Sequence, residues 1–338
     1  MRVLAILLIF CAGVAVAQPL RVGVYHTGLS RNGPGVMLRD IQKGDPQVQA
    51  VVEVINAAAP DILLLLDFDY DAANAALTAL AGRLRKVGAD FPHLFALRPN
   101  TGLRTGLDMD GDGRSGGPGD AQGWGTFAGQ GGMALLSRWP IAGENVRDFS
   151  DLLWRDLPGA ILPATDEAPF PSAEAQAAQR LSSTAHWDIP VMVKGRPFHI
   201  LAFHATPPVF DGPEDRNGLR NRDELRFWQI YLESPDAPAR FVLLGGANLD
   251  PHDGDGHSMA MRAFLDSGLV QEPAPRDSEG NLHTAFWPRT ASLRVDYALP
   301  APGLTVHGTG VFSGFGPLAE TVAHASSHRL VWVDLALP

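Results

Sequence analysis

The chain has 338 residues, 45% hydrophobic and 19% charged, the balance of an ordinary globular protein with enough apolar material for one large core or two small ones. Its formal charge of −10 argues against a sequence-independent grip on a long nucleic acid, which needs a basic surface, while a local cation site for a small phosphoester stays compatible with it. The 36 glycines and 27 prolines indicate turns and long loops rather than a helical bundle.

At the start, Arg2 precedes a continuous apolar run from Val3 to Val16, and Ala15-Val16-Ala17 fits a small-residue cleavage site. The run is shorter than the roughly 20 residues a transmembrane helix needs. Residues 1–17 are therefore expected to be a signal peptide, with residues 18–338 a single exported domain, periplasmic or secreted and without a membrane span; a retained signal anchor is the alternative. The one cysteine, Cys11, lies in this segment, and Phe10 before it argues against lipid modification, so a mature chain would rely on its core without disulfides.

Further along, Leu20 to Tyr25 alternates and reads as a strand. Asp45-Pro46 opens an apolar-periodic helix ending near Ala59-Pro60, since proline suits the first helical turn. Asp61 to Leu66 is a continuous apolar run, the pattern of a strand buried on both faces. Asp71 caps a second helix running to about Lys86. Met133 to Leu136 reads as a strand, and the Ala/Pro-rich stretch Pro163 to Ala178 as a surface loop. Strands follow at Ile189 to Val193, Phe198 to Phe203, Phe241 to Leu244, Leu293 to Leu299 and Leu330 to Leu335, with helices at Arg222 to Leu232 and Ser258 to Leu265. Helices falling between strands indicate a layered α/β plan with mixed sheets.

Polar residues gather where these strands end: Asp67 and Asp69, His204, Asn248 and Asp250, and His328 just before the last strand, with Asp296 inside its own strand. Such positions often converge on one cleft, although Asp and Asn also end strands routinely. Arg216, Arg220 and Arg222 either line an anion-binding cleft beside His204 or belong to a helix start paired with Asp223 and Glu224; on the first reading Arg220 and Arg226 are the substrate-binding candidates. His186-Trp187-Asp188 is expected to form a buried hydrogen-bonded corner. Asp108, Asp110 and Asp112 alternate ahead of Gly113, like the opening of a calcium loop, but the twelfth position is Gly119 and Asp120 comes one place late, so calcium binding and a plain Gly/Asp-rich turn both stay open.

In order along the chain, these segments resemble the endonuclease/exonuclease/phosphatase family. Pro60 to Asp67 resembles its second strand, which usually ends in Gln-Glu. Gly132 to Ile141 resembles its Ser-Arg-x-Pro-Ile strand, and Phe203-His204 the strand ending in its histidine. Gly245 to Pro251 resembles Gly-Asp-x-Asn-x-Asp-Pro, Arg294 to Tyr297 resembles Arg-Ile-Asp-Tyr, and Ser326-Ser327-His328 resembles Ser-Asp-His. His204 to Pro208, Phe210 to Gly218 and Ser183 to Asp188 are similar to an exported bacterial subgroup. The resemblance implies a four-layer α/β sandwich, two packed mixed β-sheets flanked by helices, and hydrolysis of a phosphoester assisted by magnesium or manganese. It makes His328, Asp296, Asn248 and His204 the catalytic and phosphate-holding candidates, and Asp67 and Asp250 weak metal candidates. A positioned metal and fixed donors are needed because charge builds on phosphorus as the bond breaks.

The chain departs from that pattern at several positions. His26 stands for an Asn, Asp67 for the metal-binding Glu, Gly246 for the water-orienting Asp, and Ser327 for the Asp of Ser-Asp-His. One general base is typically worth about 10²–10⁴-fold in rate. The expectation is a pseudoenzyme-like site with hydrolysis weakened or lost, acting on a small phosphorylated molecule. The alternatives are a non-catalytic binding protein using the retained phosphate cleft, or a calcium-stabilised interaction protein. Asp253 and Asp255 are the nearby carboxylates that would have to replace the one absent at Gly246.

Overall fold

The computed structural model describes residues 19–288 and 291–336; the expected signal peptide at residues 1–17 lies outside the described residues. Two sheets form the centre. The six-stranded sheet runs in the order Thr305–Phe312, Leu330–Ala336, Leu20–His26, Ile62–Phe68, Gly132–Ser137, His93–Phe95. The five-stranded sheet runs Asp296–Pro300, Phe241–Gly246, Arg196–His204, His186–Val193, Arg147–Asp148. Each sheet holds one parallel pair, Leu20–His26 with Ile62–Phe68 and Arg196–His204 with Phe241–Gly246; the other pairings are antiparallel.

Strand periodicity explains the layering. Val22, Val24, Ile62, Leu64 and Leu66 face the second sheet, in a core cluster that continues through Ile200, Leu244 and Trp228. The intervening Tyr25, Leu63 and Leu65 face the other way, against Met37, Val51, Ile55, Leu77 and Val322 from the helices that cover the first sheet. A strand flanked by side chains on both faces reads as one apolar run, which is why Ile62 to Leu66 shows no polar alternation. Helices on the outside and two sheets inside make the expected four-layer α/β sandwich.

Several expected elements differ. Asp71 is not the N-cap, which is Asn74 before the helix Ala75–Lys86, although its carboxylate accepts from the amides of Ala75 and Ala76 in the first turn. The expected Leu293 to Leu299 strand is two, Ala291–Leu293 and Asp296–Pro300, because they belong to different sheets. The helix expected from Arg222 begins at Arg216. Pro163 to Ala178 is no plain loop: it holds a small hairpin and the helix Ala173–Ala178, whose N-cap Ser172 accepts from Ala175. The helix Val36–Lys43 and the strand Thr305–Phe312, whose apolar residues are interrupted by His307, Gly308, Thr309 and Gly310, were not expected.

Both parallel pairs end at the same end of the molecule. His26 and Asp67 stand at the ends of one pair, His204 and Gly246 at the ends of the other, the crevice position that layered α/β sheets favour for ligands.

Candidate functional site

Register builds the centre of the site. Gly246 is paired directly with His204 on one side and Asp296 on the other, so the three positions form a row across the end of the second sheet. From the opposing sheet His26 comes in edge-on to His204, with ring centroids 5.2 Å apart, and stacks on His328 at 4.0 Å and 11°. Trp287 meets His328 edge-on at 5.4 Å. Three imidazoles thus fill the place where the two sheets meet.

His328 is firmly oriented. Its Nδ1 lies 2.7 Å from Asp296 Oδ2, which also accepts from Thr284 Oγ1 at 2.9 Å. The Thr284 hydroxyl in turn accepts from the amides of Val295 and Asp296, both at 3.0 Å. Ser326 donates to the carbonyl of His26 at 2.7 Å and accepts from the His328 amide at 3.0 Å, so one hydroxyl fixes both histidine segments. Burial pushes the Asp296 carboxyl up, but His328 beside it, His26 and the Thr284 hydrogen bond outweigh that and hold it below the ordinary range. Its second oxygen, Oδ1, is buried with no partner among the described residues.

His26 and His204 are held neutral. Burial, then the neighbouring His328, lowers His26 to about 3 against the pull of Asp296. Burial, then His26, lowers His204 to about 3 against Asp67 and Asp296. The Nδ1 atoms of both rings are sealed from solvent without a hydrogen-bond partner. Asp67 is aimed here by a local irregularity: the pairing with Gly132–Ser137 slips between Leu66 and Phe68, and Asp67 takes a left-handed φ of 54°. Burial raises its pKa, offset in part by His204, His328 and Arg31.

The other candidates are placed differently. Asp69 accepts from Ser30 Oγ, the Arg31 amide and the Gly131 amide at 2.7, 3.0 and 2.9 Å, tying two loops rather than facing a ligand. Asn248, at φ 51°, donates to the Ala205 carbonyl at 2.8 Å, which links the turn to the His204 strand. Asp250 clamps its own turn: its oxygens accept from the amides of His252, Asp253 and Arg294. Asp253 and Asp255 are exposed on that turn, as is Ser327 before His328. Arg220 points inward and donates to the carbonyls of Gln122, Arg180, Leu181 and Ser182 at 2.7 to 3.0 Å, because a buried guanidinium must find acceptors for its fork of donors. Burial lowers it to about 10. Arg226 is exposed and bonds the Pro158 carbonyl at 3.1 Å, and Arg222 pairs with Asp223. Arg220 is thus engaged by backbone carbonyls rather than turned to a cleft, Arg226 stays exposed at the surface, and the helix-start alternative describes Arg222.

Sequence reasoning missed the groups that set the site loops. Asn221 donates to the carbonyls of Thr206 and Ala247, both at 2.7 Å, joining the segments that follow His204 and Gly246. Glu224, fully buried, accepts from the Ser183 amide and hydroxyl and from the Thr206 amide. Burial raises it to about 7 against Arg220 and those donors. A polar residue recurring on the buried face of an otherwise apolar-periodic helix was the available signal. On the long loop before Gly132, the acidic group is Asp108, Asp110 and Asp120, with ligand oxygens within 4.8 Å of one another. The expected Asp112 is not in it, since the chain folds Asp120 back so that it accepts from the Met109 and Gly117 amides.

The profile of the Endonuclease/Exonuclease/phosphatase family matches residues 28–328. No curated protein matches the sequence. Among solved structures, an endonuclease/exonuclease/phosphatase from Beutenbergia cavernae superposes with TM-score 0.57 at 20% identity, over 95% of this chain and 72% of that one. Sphingomyelinase C from Streptomyces griseocarneus gives TM-score 0.52 at 16% identity over 94% and 99%. A mannosyl-6-phosphatase from Bacteroides thetaiotaomicron gives 0.52 at 16% over 94% and 100%. At these identities the likeness concerns the fold. With the family profile spanning most of its length and the two-sheet architecture in agreement, the chain belongs to the endonuclease/exonuclease/phosphatase family.

Proposed function

We propose that this family member binds a small phosphorylated group at its histidine-lined strand ends and that its metal-dependent hydrolysis is weakened or lost. The observation that carries the reading is Gly246. A Cβ built there would stand 2.9 Å from His204 Cδ2 and 3.0 Å from Leu66 Cδ1, so a side chain would press on both, and the row between His204 and Asp296 carries no carboxylate to orient water.

The family is usually dependent on a divalent metal. Magnesium and manganese take oxygen donors. Here three imidazoles dominate, Asp69 is enclosed by three donors, Asp296 serves His328, and Asp67 is the one carboxylate left beside the rings. Among the described residues the one acidic group with convergent ligand atoms is Asp108, Asp110 and Asp120, outside this row. The donor set at the strand ends does not fit the usual ion. That acidic group supports the calcium-stabilised alternative as an addition to the reading rather than a replacement.

What remains suits holding an anion. Asp296 accepts from His328 Nδ1 and fixes the ring beside His26 and Trp287, which leaves Nε2 as the ring nitrogen that can meet a phosphate oxygen. His204 supplies a neutral ring across the row from His26, and Asn248 follows Gly246 on the adjoining turn. Export of the chain through residues 1–17 belongs to the same proposal; the intact mass of protein recovered outside the cytoplasm checks it.

A panel of simple phosphomonoesters and diesters with added magnesium or manganese tests the activity. Turnover at or above about 1 s⁻¹ on any of them overturns the reading. Calorimetric titration with inorganic phosphate tests binding, with loss in His328→Gln expected and unchanged affinity in that variant against the proposal.

A further inference from the structure

Glu224 is a fully buried carboxyl that the phosphate-binding reading does not use. Enclosing a carboxyl is costly unless its oxygens are satisfied. Arg220, one turn earlier on the same helix, favours its charged form but spends its own donors on the carbonyls of Gln122, Arg180, Leu181 and Ser182. The Glu224 oxygens meet two other segments instead. Oε2 accepts from the Thr206 amide at 2.7 Å, two residues past His204. Oε1 accepts from the Ser183 amide at 2.6 Å and lies 2.8 Å from the Ser183 hydroxyl. The same hydroxyl lies 3.3 Å from the carbonyl of His204, the residue in register with Gly246. A serine hydroxyl has one proton, so it donates to the carboxyl or to the histidine carbonyl, not to both. The charged and titratable groups around Glu224 are Arg220 on its own helix, His186, whose Nε2 lies 3.1 Å from the Glu224 carbonyl, and His204 at the strand end. Burial lowers His186 to about 4 and His204 to about 3. Both rings are therefore neutral over the range in which Glu224, raised by burial to about 7, changes charge.

We propose that Glu224 is a positioning residue for the histidine row, acting through the Ser183 hydroxyl as a proton-controlled tie on the His204 carbonyl. With Glu224 ionised, the Ser183 proton turns to Oε1, the closer acceptor, and the His204 carbonyl loses that donor. With Glu224 protonated on Oε1, the carboxyl O–H donates to Ser183 Oγ, whose own proton then turns to the His204 carbonyl. Oε2 remains the acceptor of the Thr206 amide in both states. One proton taken up from water by Glu224 is thus read as one hydrogen bond gained at the end of Arg196–His204. The His204 ring stands beside Gly246 and edge-on to His26, so a tie on its backbone steadies the row. The inference rests on the phosphate-binding reading only for its effect on affinity; the tie itself involves no ligand.

In the ligand-free full chain, the backbone carbonyl ¹³C resonance of His204 is followed by nuclear magnetic resonance from about pH 5.5 to about pH 8.5. A step centred at about 7 is expected. Ser183→Ala should lose it at His204 while the Thr206 amide still reports the titration of Glu224, and Glu224→Gln should lose both. No step at His204 in the wild type overturns the proposal. So does a step that survives in Ser183→Ala, because a through-space field needs no hydroxyl. If Glu224→Gln fails to fold, the wild type and Ser183→Ala decide alone. Calorimetric affinity for inorganic phosphate is then compared between the wild type and Ser183→Ala at the two ends of that range. Their ratio cancels the titration of phosphate and of the groups both proteins share. Wild type is expected to bind about threefold more tightly at the acid end, the worth of one neutral hydrogen bond, and equally at the alkaline end. A ratio that does not change with pH makes Ser183 purely structural and overturns the positioning role. Absence of phosphate binding in both proteins, with the His204 step present, would sink the proposed function and leave the proton-controlled tie standing.

Discussion

Gly246 lies in register between His204 and Asp296, and that single position decides how far the site can be restored. Its φ is ordinary, so the obstacle to a side chain is space alone: the His204 ring and Leu66 already occupy it. Gly246→Asp is expected to lose about 1–3 kcal/mol from overpacking and to recover no hydrolysis, read from the urea midpoint and from the phosphoester panel. Full stability with new activity would show that His204 yields easily. Acid should act on the same residues. His26 and His204 titrate at about 3 in the fold, against 6.5 ordinarily, so between those values the unfolded chain binds more protons. Their contribution is complete above pH 6.5 and is lost as pH falls toward 3. His26→Asn should flatten the fall in urea midpoint between pH 7 and pH 5; an unchanged slope would count against burial as the cause. The sequence revealed that position 246 lacked a carboxylate, but not that a neighbouring ring had filled its place.

The helix Arg216–Glu233 is the element that holds the site loops. Arg220, Asn221 and Glu224 are all buried on it and bind backbone groups of the 180–183, 205–206 and 246–247 segments. In Glu224→Gln an amide would replace one acceptor facing a backbone N–H, and a loss of about 1–3 kcal/mol is expected in chemical denaturation. Glu224 also titrates at about 7 against 4.5 ordinarily, so its ionisation lowers stability as pH rises from 4.5 to 7; the variant should remove that decline, measured as the urea midpoint against pH. The helix was visible from its apolar spacing, its polar inward face only partly. Charged residues near a helix start commonly pair with each other, as Arg222 and Asp223 do. Nothing in local sequence shows that Glu224 faces loops 18 and 41 residues away in the chain.

For the whole molecule, one core cluster joins the inner faces of both sheets and the Arg216–Glu233 helix. Such continuity predicts cooperative unfolding: urea transitions followed by far-ultraviolet circular dichroism and by tryptophan fluorescence should coincide, and separated midpoints would mean two units. The central strands and the α/β layering followed from the sequence alone, though Thr305–Phe312 and the break at 294–295 did not, because burial on both faces writes continuous apolar runs such as Ile62 to Leu66 and because the ordered motifs from Asp67 to His328 carry the family's pattern. What only the tertiary structure decided was direction. Asp67 and Asp69 are two apart and would point alike in a regular strand, yet the register slip at Asp67 turns one to the histidines while the other ties loops. Asp250 and Arg220 likewise turn to backbone groups. A side chain's type is local, but its partner is set by segments brought together from distant parts of the chain, and at this site those partners separate the clustered histidines from the groups that tie loops.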